Sequence, residues 1–241
     1  MTDRNDRISR RDLLRIAAAT APAVLAACGW DAGRLIQPKL LAISRLNDWV
    51  GEHILFDRDR LAPTYDPAER SGRMPSYFIT RGGTPPTWTE PDEWVLGVGG
   101  LVRKPMRLTR VTLEHLPRLT YTIKHHCVEG WTSVATWTGV PVAAVAALVE
   151  PTADARYLRF DSFDSGYFNG WDLASAMHPQ TMLAYAFNDR PLGADHGAPL
   201  RLYSPVKLGY KLTKYLTSMT FTREQPGGYW EDQGYPWFGG I

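Results

Sequence analysis

Apolar residues recur along this chain with two periods, and the switches between them mark the elements. Trp94 to Val102 alternates and then reaches Gly99-Gly100, which reads as a strand entering a hairpin. Leu119–Lys124, Tyr157–Ser162, Met182–Phe187, Leu200–Tyr203 and Ser218–Phe221 read as further strands, the third ending in the turn Asn188-Asp189. Val142–Val149 is apolar and alanine-rich, a helix begun by Pro141. Leu108–Leu116 and Leu173–Met177 also read as helical. Leu40 to Val50 has partial helical spacing, predicting one short helix and then extended chain through the solvated run Asp57–Arg60. Tyr77–Thr80 is β-prone, and Gly82-Gly83 with Pro85-Pro86 forces a loop behind it, which leaves Arg81 at a strand-to-glycine junction. The pattern predicts an α+β domain.

The first 28 residues follow a different logic. Arg4, Arg7, Arg10 and Arg11 precede an apolar run from Ile16 to Ala27. That run is about 12 residues, where a membrane-crossing helix needs about 20. A basic head, a short apolar middle and small residues before Cys28 make an export signal. Ser9-Arg10-Arg11-Asp12-Leu13-Leu14 resembles a twin-arginine signal, and Leu25-Ala26-Ala27-Cys28 resembles a lipobox, which would leave the chain tethered by acyl groups at Cys28. The organisation expected is an export signal over 1–28, an N-terminal extension over 29–73 and one domain over 74–241.

Composition refines this picture. The chain has 241 residues, 44% hydrophobic and 22% charged, enough for a full core. A net charge of +2 gives no footprint for nucleic acid. Nine Trp and eleven Tyr beside 18 Pro and 21 Gly favour a loop-rich fold over a helix bundle.

Cys127 is the only cysteine beyond Cys28, and it sits in His125-His126-Cys127-Val128-Glu129-Gly130-Trp131. With no second thiol in the mature body it is an inert core residue, a nucleophile or a metal ligand. A cysteine hydrolase using His125 or His126 is disfavoured, because a neighbour on a strand points to the opposite face. The histidines lack zinc-finger spacing. A metal-free exported binding lipoprotein is the contrasting reading.

Taken with Trp137-Thr138-Gly139-Val140-Pro141, this stretch resembles the catalytic domain of the sulfite oxidase family of molybdopterin enzymes. His196-Gly197-Ala198-Pro199-Leu200-Arg201 is similar to the family's pterin-binding segment, and Gly209–Leu216 to the segment that follows it. Arg159–Ser162, Leu183–Tyr185 and Gly228–Asp232 fit the same order, from about Met74 onward.

The resemblance implies a mixed-sheet molybdopterin-binding fold, a molybdenum-molybdopterin cofactor and oxygen-atom transfer. Cys127 would ligate molybdenum. His196 and Arg201 would contact the cofactor, Arg201 near its phosphate or a substrate anion. Leu212, Thr213 and Lys214 would line it, Ser162 or Asp164 would contact the pterin, and Arg81, which matches an arginine of the family's loop, would hold a substrate oxyanion beside the metal together with Arg201. Lys211, Lys214 and Arg201 could give charge-assisted hydrogen bonds to the phosphate. The substrate implied is a small oxyanion or a sulfoxide. His196 stands where the methionine sulfoxide repair enzymes carry asparagine, and it matches sulfite oxidases, which favours sulfite-like chemistry. No haem-binding or immunoglobulin-like dimerisation domain is found before Ile241. A monomer served by an external cytochrome or quinol protein, at the periplasmic face, is therefore expected.

Overall fold

A computed structural model describes residues 42–80, 83–90 and 93–241. The export signal, Cys28 and Arg81 lie outside the described residues. The chain divides after Asn47, and the unit Asp48–Ile241 holds both sheets.

Residues 42–50 are helical, as their spacing predicts, and one π-helical turn, Gly51–Leu55, follows. Ten strands come next: β1 Val95–Gly100, β2 Met106–Thr109, β3 Leu119–His126, β4 Thr132–Pro141, β5 Tyr157–Ser162, β6 Phe168–Asp172, β7 Met182–Phe187, β8 Arg190–Pro191, β9 Arg201–Tyr203 and β10 Leu216–Thr222. One sheet runs β2-β1-β10-β5-β6; the other runs β3-β4-β7-β8, with β9 also on β7. The β1–β10 pair is parallel and the other strand pairs are antiparallel, so the fold is mixed α+β as expected.

Local chemistry explains these elements. Leu96 and Val98 on β1, and Leu158 and Phe160 on β5, alternate inward and are almost fully buried. Truncating such a leucine to alanine costs about 2–5 kcal/mol. Val142–Val149 is a helix over its predicted span, entered from Pro141. Gly139 sits at the bulge between β4 and β7, where a Cβ would meet the Leu183 carbonyl oxygen at 2.1 Å. No other residue fits there, which accounts for the glycine of Trp137–Pro141.

Two expectations differ from the structure. Leu108–Leu116 is not one helix: Leu108 belongs to β2, and the helix Arg110–Glu114 starts only after Thr109 caps it by accepting from Thr112 N at 3.1 Å. Tyr77–Thr80 is not a strand. Its backbone donors at Ile79 and Thr80 go to the Asp164 carboxylate at 2.7 and 2.6 Å, so no ladder forms.

Candidate active site

Alternation along β3 decides what faces the interior at its end. Ile123 and His125 are buried, while Lys124 and His126 are half-buried on the other side. The β3–β4 hairpin then turns through Cys127–Trp131. Cys127 N donates to Trp131 O at 3.1 Å, Gly130 N donates to Cys127 O at 3.0 Å, and Gly130 takes φ 87°. This tight loop presents the Cys127 thiol to a cavity of about 430 Å³.

Other walls come from the 74–79 segment, from Ser162 at the end of β5 and Asp164 beyond it, from Arg201 on β9, from the 209–215 segment and from Tyr229, Trp230 and Tyr235. The thiol is half-buried, and burial pushes its pKa up despite the Glu129 and Val128 amides.

The cations of the cavity are its second feature. Arg201 is 4% exposed, and its Nη1 donates to His196 O at 3.0 Å and its Nη2 to Leu212 O at 3.4 Å. Its guanidinium lies 4.8 Å from the centroid of the Trp137 ring. Burial lowers its pKa to about 10. Lys214 Nζ donates to Ser76 Oγ at 3.0 Å and to Asp195 O at 3.1 Å, and burial, with Arg201 beside it, lowers its pKa to about 7. Among the described residues, neither cation forms an ion pair with a carboxylate. His196 packs 4.2 Å from the Phe187 ring, and burial, then Arg201, lowers it to about 4, so it is neutral.

Residues 82–230, more than half the chain, match the family described as oxidoreductase molybdopterin binding domain. The chain belongs to this molybdopterin-binding oxidoreductase family. It is therefore an enzyme of the molybdopterin-dependent oxidoreductases. A protein of Azospira oryzae, named as a candidate protein-methionine-sulfoxide reductase subunit YedZ1, is 38% identical over 217 residues, covering 90% of this chain and 82% of that protein. The protein-methionine-sulfoxide reductase catalytic subunit MsrP of Campylobacter jejuni is 29% identical over 154 residues, 57% of this chain and 52% of that one, about half its length. The sulfane dehydrogenase SoxCD of Paracoccus pantotrophus shares the fold, with a TM-score of 0.54 and 22% identity over 58% of this chain and 40% of that one.

The residues present fit molybdopterin. A soft sulfur donor stands in the same cavity as buried Arg201 and half-buried Lys214, neither ion-paired to a carboxylate among the described residues, a set that suits a metal dithiolene with a phosphate. Of the residues predicted from sequence, Cys127, Ser162, Asp164, His196, Arg201, Leu212 and Lys214 share the cavity. The Asp164 carboxylate, however, is engaged by Ile79 N, Thr80 N and, at 2.6 Å, Thr80 Oγ1. It fixes the loop that leads to Arg81.

Lys211 is placed elsewhere. Its ammonium is fully buried behind the cavity, ion-paired to Glu231 and donating to Gly170 O at 2.9 Å and Trp237 O at 2.6 Å. This differs from the expectation that it reaches a phosphate, because a carboxylate already neutralises it. Thr213 is also buried outside the lining, with its Oγ1 unpartnered.

The sequence reading missed His125, Tyr167, Tyr210 and Tyr235, all of which line the cavity. For His125 the signal was available. It is two residues from Cys127, so period 2 gives it the same face; only His126 points away, into a separate hollow with Lys124 and Tyr65. Burial, then Arg201, lowers His125 to about 3, so it is neutral.

Proposed function

We propose that this enzyme transfers an oxygen atom at a molybdenum-molybdopterin centre ligated by Cys127, and that it reduces a sulfoxide of the kind carried by oxidised methionine. The observation that carries the reading is a thiol sharing one cavity with buried Arg201 and half-buried Lys214, neither of which has a carboxylate partner among the described residues. When bound, the cofactor supplies a metal that exchanges an oxygen atom with substrate and electrons with an external carrier. Cys127 would hold the metal, and Arg201 and Lys214, the latter braced by Ser76, would hold the phosphate. Asp164 would keep the 79–80 loop in place. Sulfoxide reduction consumes two electrons from that carrier and two protons, and releases a thioether and water.

The choice of substrate rests on the rim. Tyr229, Trp230 and Tyr235 form a contiguous aromatic wall, with ring centroids 5.2 and 5.3 Å apart along it, and Met74, Tyr77 and Phe78 stand on the lining too. Aromatic faces suit a methyl-sulfur group, whereas a bare oxyanion would need cations at the mouth. The names of the two similar reductase proteins support the same substrate. A second reading, sulfite to sulfate, is favoured by His196. The arginine pair Arg10-Arg11 and the lipobox cysteine support action at the periplasmic face, with a tether at Cys28 and a separate redox protein as partner.

The test is elemental analysis and turnover of wild type and Cys127→Ser from a host that makes molybdopterin. Near-stoichiometric molybdenum in wild type, depleted in the variant, and viologen-driven reduction of N-acetyl-methionine sulfoxide are expected. Metal-free wild type would sink the reading. Sulfite oxidation without sulfoxide reduction would move it to the second substrate.

A further inference from the structure

His125 stands out among the buried polar groups. Its side chain lines the cavity and the residue is 5% exposed; no described residue hydrogen-bonds its ring, and its nitrogens are not among the fully buried orphan atoms such as Tyr203 Oη and Thr213 Oγ1, so they face the cavity. Its neighbours are aromatic: the Trp131 ring at 5.3 Å and the Tyr203 ring at 6.0 Å. An imidazole always offers at least one donor and one acceptor, and here both are left for whatever fills the cavity. A core histidine retained only for packing would be expected to give one nitrogen to a carbonyl, as His178 does with Arg60 O at 3.0 Å.

Two features tie this ring to the cofactor site. It lines the same cavity as Cys127, two residues before the turn that carries the thiol. It also rests on the turn Gly209–Lys211, where a Cβ at Gly209 would come within 2.9 Å of Nε2 and 3.2 Å of Cε1. Glycine at 209 therefore lets the imidazole sit between the thiol's strand and the segment that carries Leu212 and Lys214.

We infer that His125 is a further cofactor contact, its imidazole hydrogen-bonding the bound molybdopterin and holding it between the Cys127 hairpin and the Gly209 turn. This rests on the proposed molybdopterin site. It predicts that the ring's nitrogens, rather than its bulk, retain the cofactor.

The experiment compares holoenzyme of wild type, His125→Phe and His125→Gln from the molybdopterin-competent host. Molybdenum and pterin retained per chain are followed during dialysis, with the Mo(V) electron paramagnetic resonance spectrum alongside. His125→Phe keeps the aromatic packing and loses both nitrogens. It is expected to lose cofactor roughly 10- to 100-fold faster, the range for removing an outer contact of a metal site, with shifted spectral parameters. His125→Gln is expected to recover most of that retention. Wild-type retention and spectrum in His125→Phe would overturn the inference, as would equal loss in both variants. If His125→Phe does not fold, His125→Met carries the same readouts under the same criteria. Wild type without molybdenum would instead overturn the underlying site.

Discussion

Two groups of cations lie within a few residues of one another in this chain and answer to different partners. Behind the cavity, Lys211 is paired with Glu231 and Lys207 with Asp172, the latter at 3.2 Å. Both also donate to the C-terminal segment, Lys211 to Trp237 O at 2.6 Å and Lys207 to Phe238 O at 2.8 Å. Facing the cavity, Arg201 and Lys214 meet only carbonyls and a hydroxyl. Charge state does not separate them, since burial lowers Lys207 to about 7 and burial with Arg201 beside it lowers the half-buried Lys214 to about 7 as well. What separates them is the counter-charge: the first group clamps the fold, and the second, with no carboxylate among the described residues, is the one that the proposed function assigns to an anion from outside.

The sharpest way to break the comparison is to remove one member of the clamp. Lys211→Met leaves Glu231 buried, its Oε2 already unpartnered, without its cation. Breaking such a pair costs about 3–5 kcal/mol. The cofactor-free chain is expected to melt roughly 10 °C lower, at about 2–4 °C per kcal/mol for a chain of this size. Lys211→Met/Glu231→Gln should recover part of that loss. A cofactor-free chain that melts normally, yet binds cofactor poorly, would put Lys211 with the cavity group after all.

The mirror experiment is Arg201→Met. Here melting of the cofactor-free chain should move far less than in the Lys211 variant, because no carboxylate is abandoned. Cofactor retention should fall about 10- to 100-fold, the equivalent of losing a hydrogen bond to a charged group at about 1.5–3 kcal/mol. Molybdenum per chain after gel filtration, set beside melting temperature, separates the two outcomes.

This contrast also marks how far the sequence could be read. Tyr157–Ser162, Met182–Phe187 and Val142–Val149 were legible to the residue because one period runs through each. Residues 77–80 were not, because what decides their conformation is the Asp164 carboxylate, remote in sequence. β4 was recognised only as part of a motif, since Thr132–Pro141 mixes polar and apolar residues with no clean alternation. In the site, a lone thiol among aromatics was visible at once. Lys211 and Lys214 were indistinguishable, because a three-residue step through an irregular turn gives no rule for direction and Glu231 arrives from another part of the chain. His125 was legible by strand period alone.

A smaller effect sharpens the cavity side through pH. Folded, cofactor-free Lys214 titrates near 7, whereas an unfolded lysine titrates near about 10.4. Between those values the unfolded chain holds a proton that the folded chain has lost, so stability of the cofactor-free form rises with pH across the window and is flat below it. Lys207 contributes in the same direction. Lys214→Met should remove part of the rise in melting temperature between about pH 7 and about pH 10 and leave the Lys207 share. Cofactor retention should move oppositely, weakening above pH 7 in wild type, because the phosphate needs the ammonium. A Lys214→Met chain with an unchanged pH slope would place that titration elsewhere.

The smallest effect concerns Thr213, which lies between the two groups in sequence. Its backbone is tied into the fold, the amide donating to Lys211 O at 3.2 Å and the carbonyl accepting from Leu202 N at 2.8 Å. Among the described residues its hydroxyl is buried without a partner, and Thr213 is not part of the cavity lining. Thr213→Val replaces that hydroxyl with a methyl of the same shape and removes a desolvation cost of about 1–3 kcal/mol. A melting temperature higher by a few degrees, with cofactor retention unchanged, is expected from calorimetry and metal analysis. Lost retention would instead mean that the hydroxyl reaches the pterin, so Thr213 would belong with Arg201 and Lys214. The boundary between clamp and cavity would then fall after Lys211, not after Thr213.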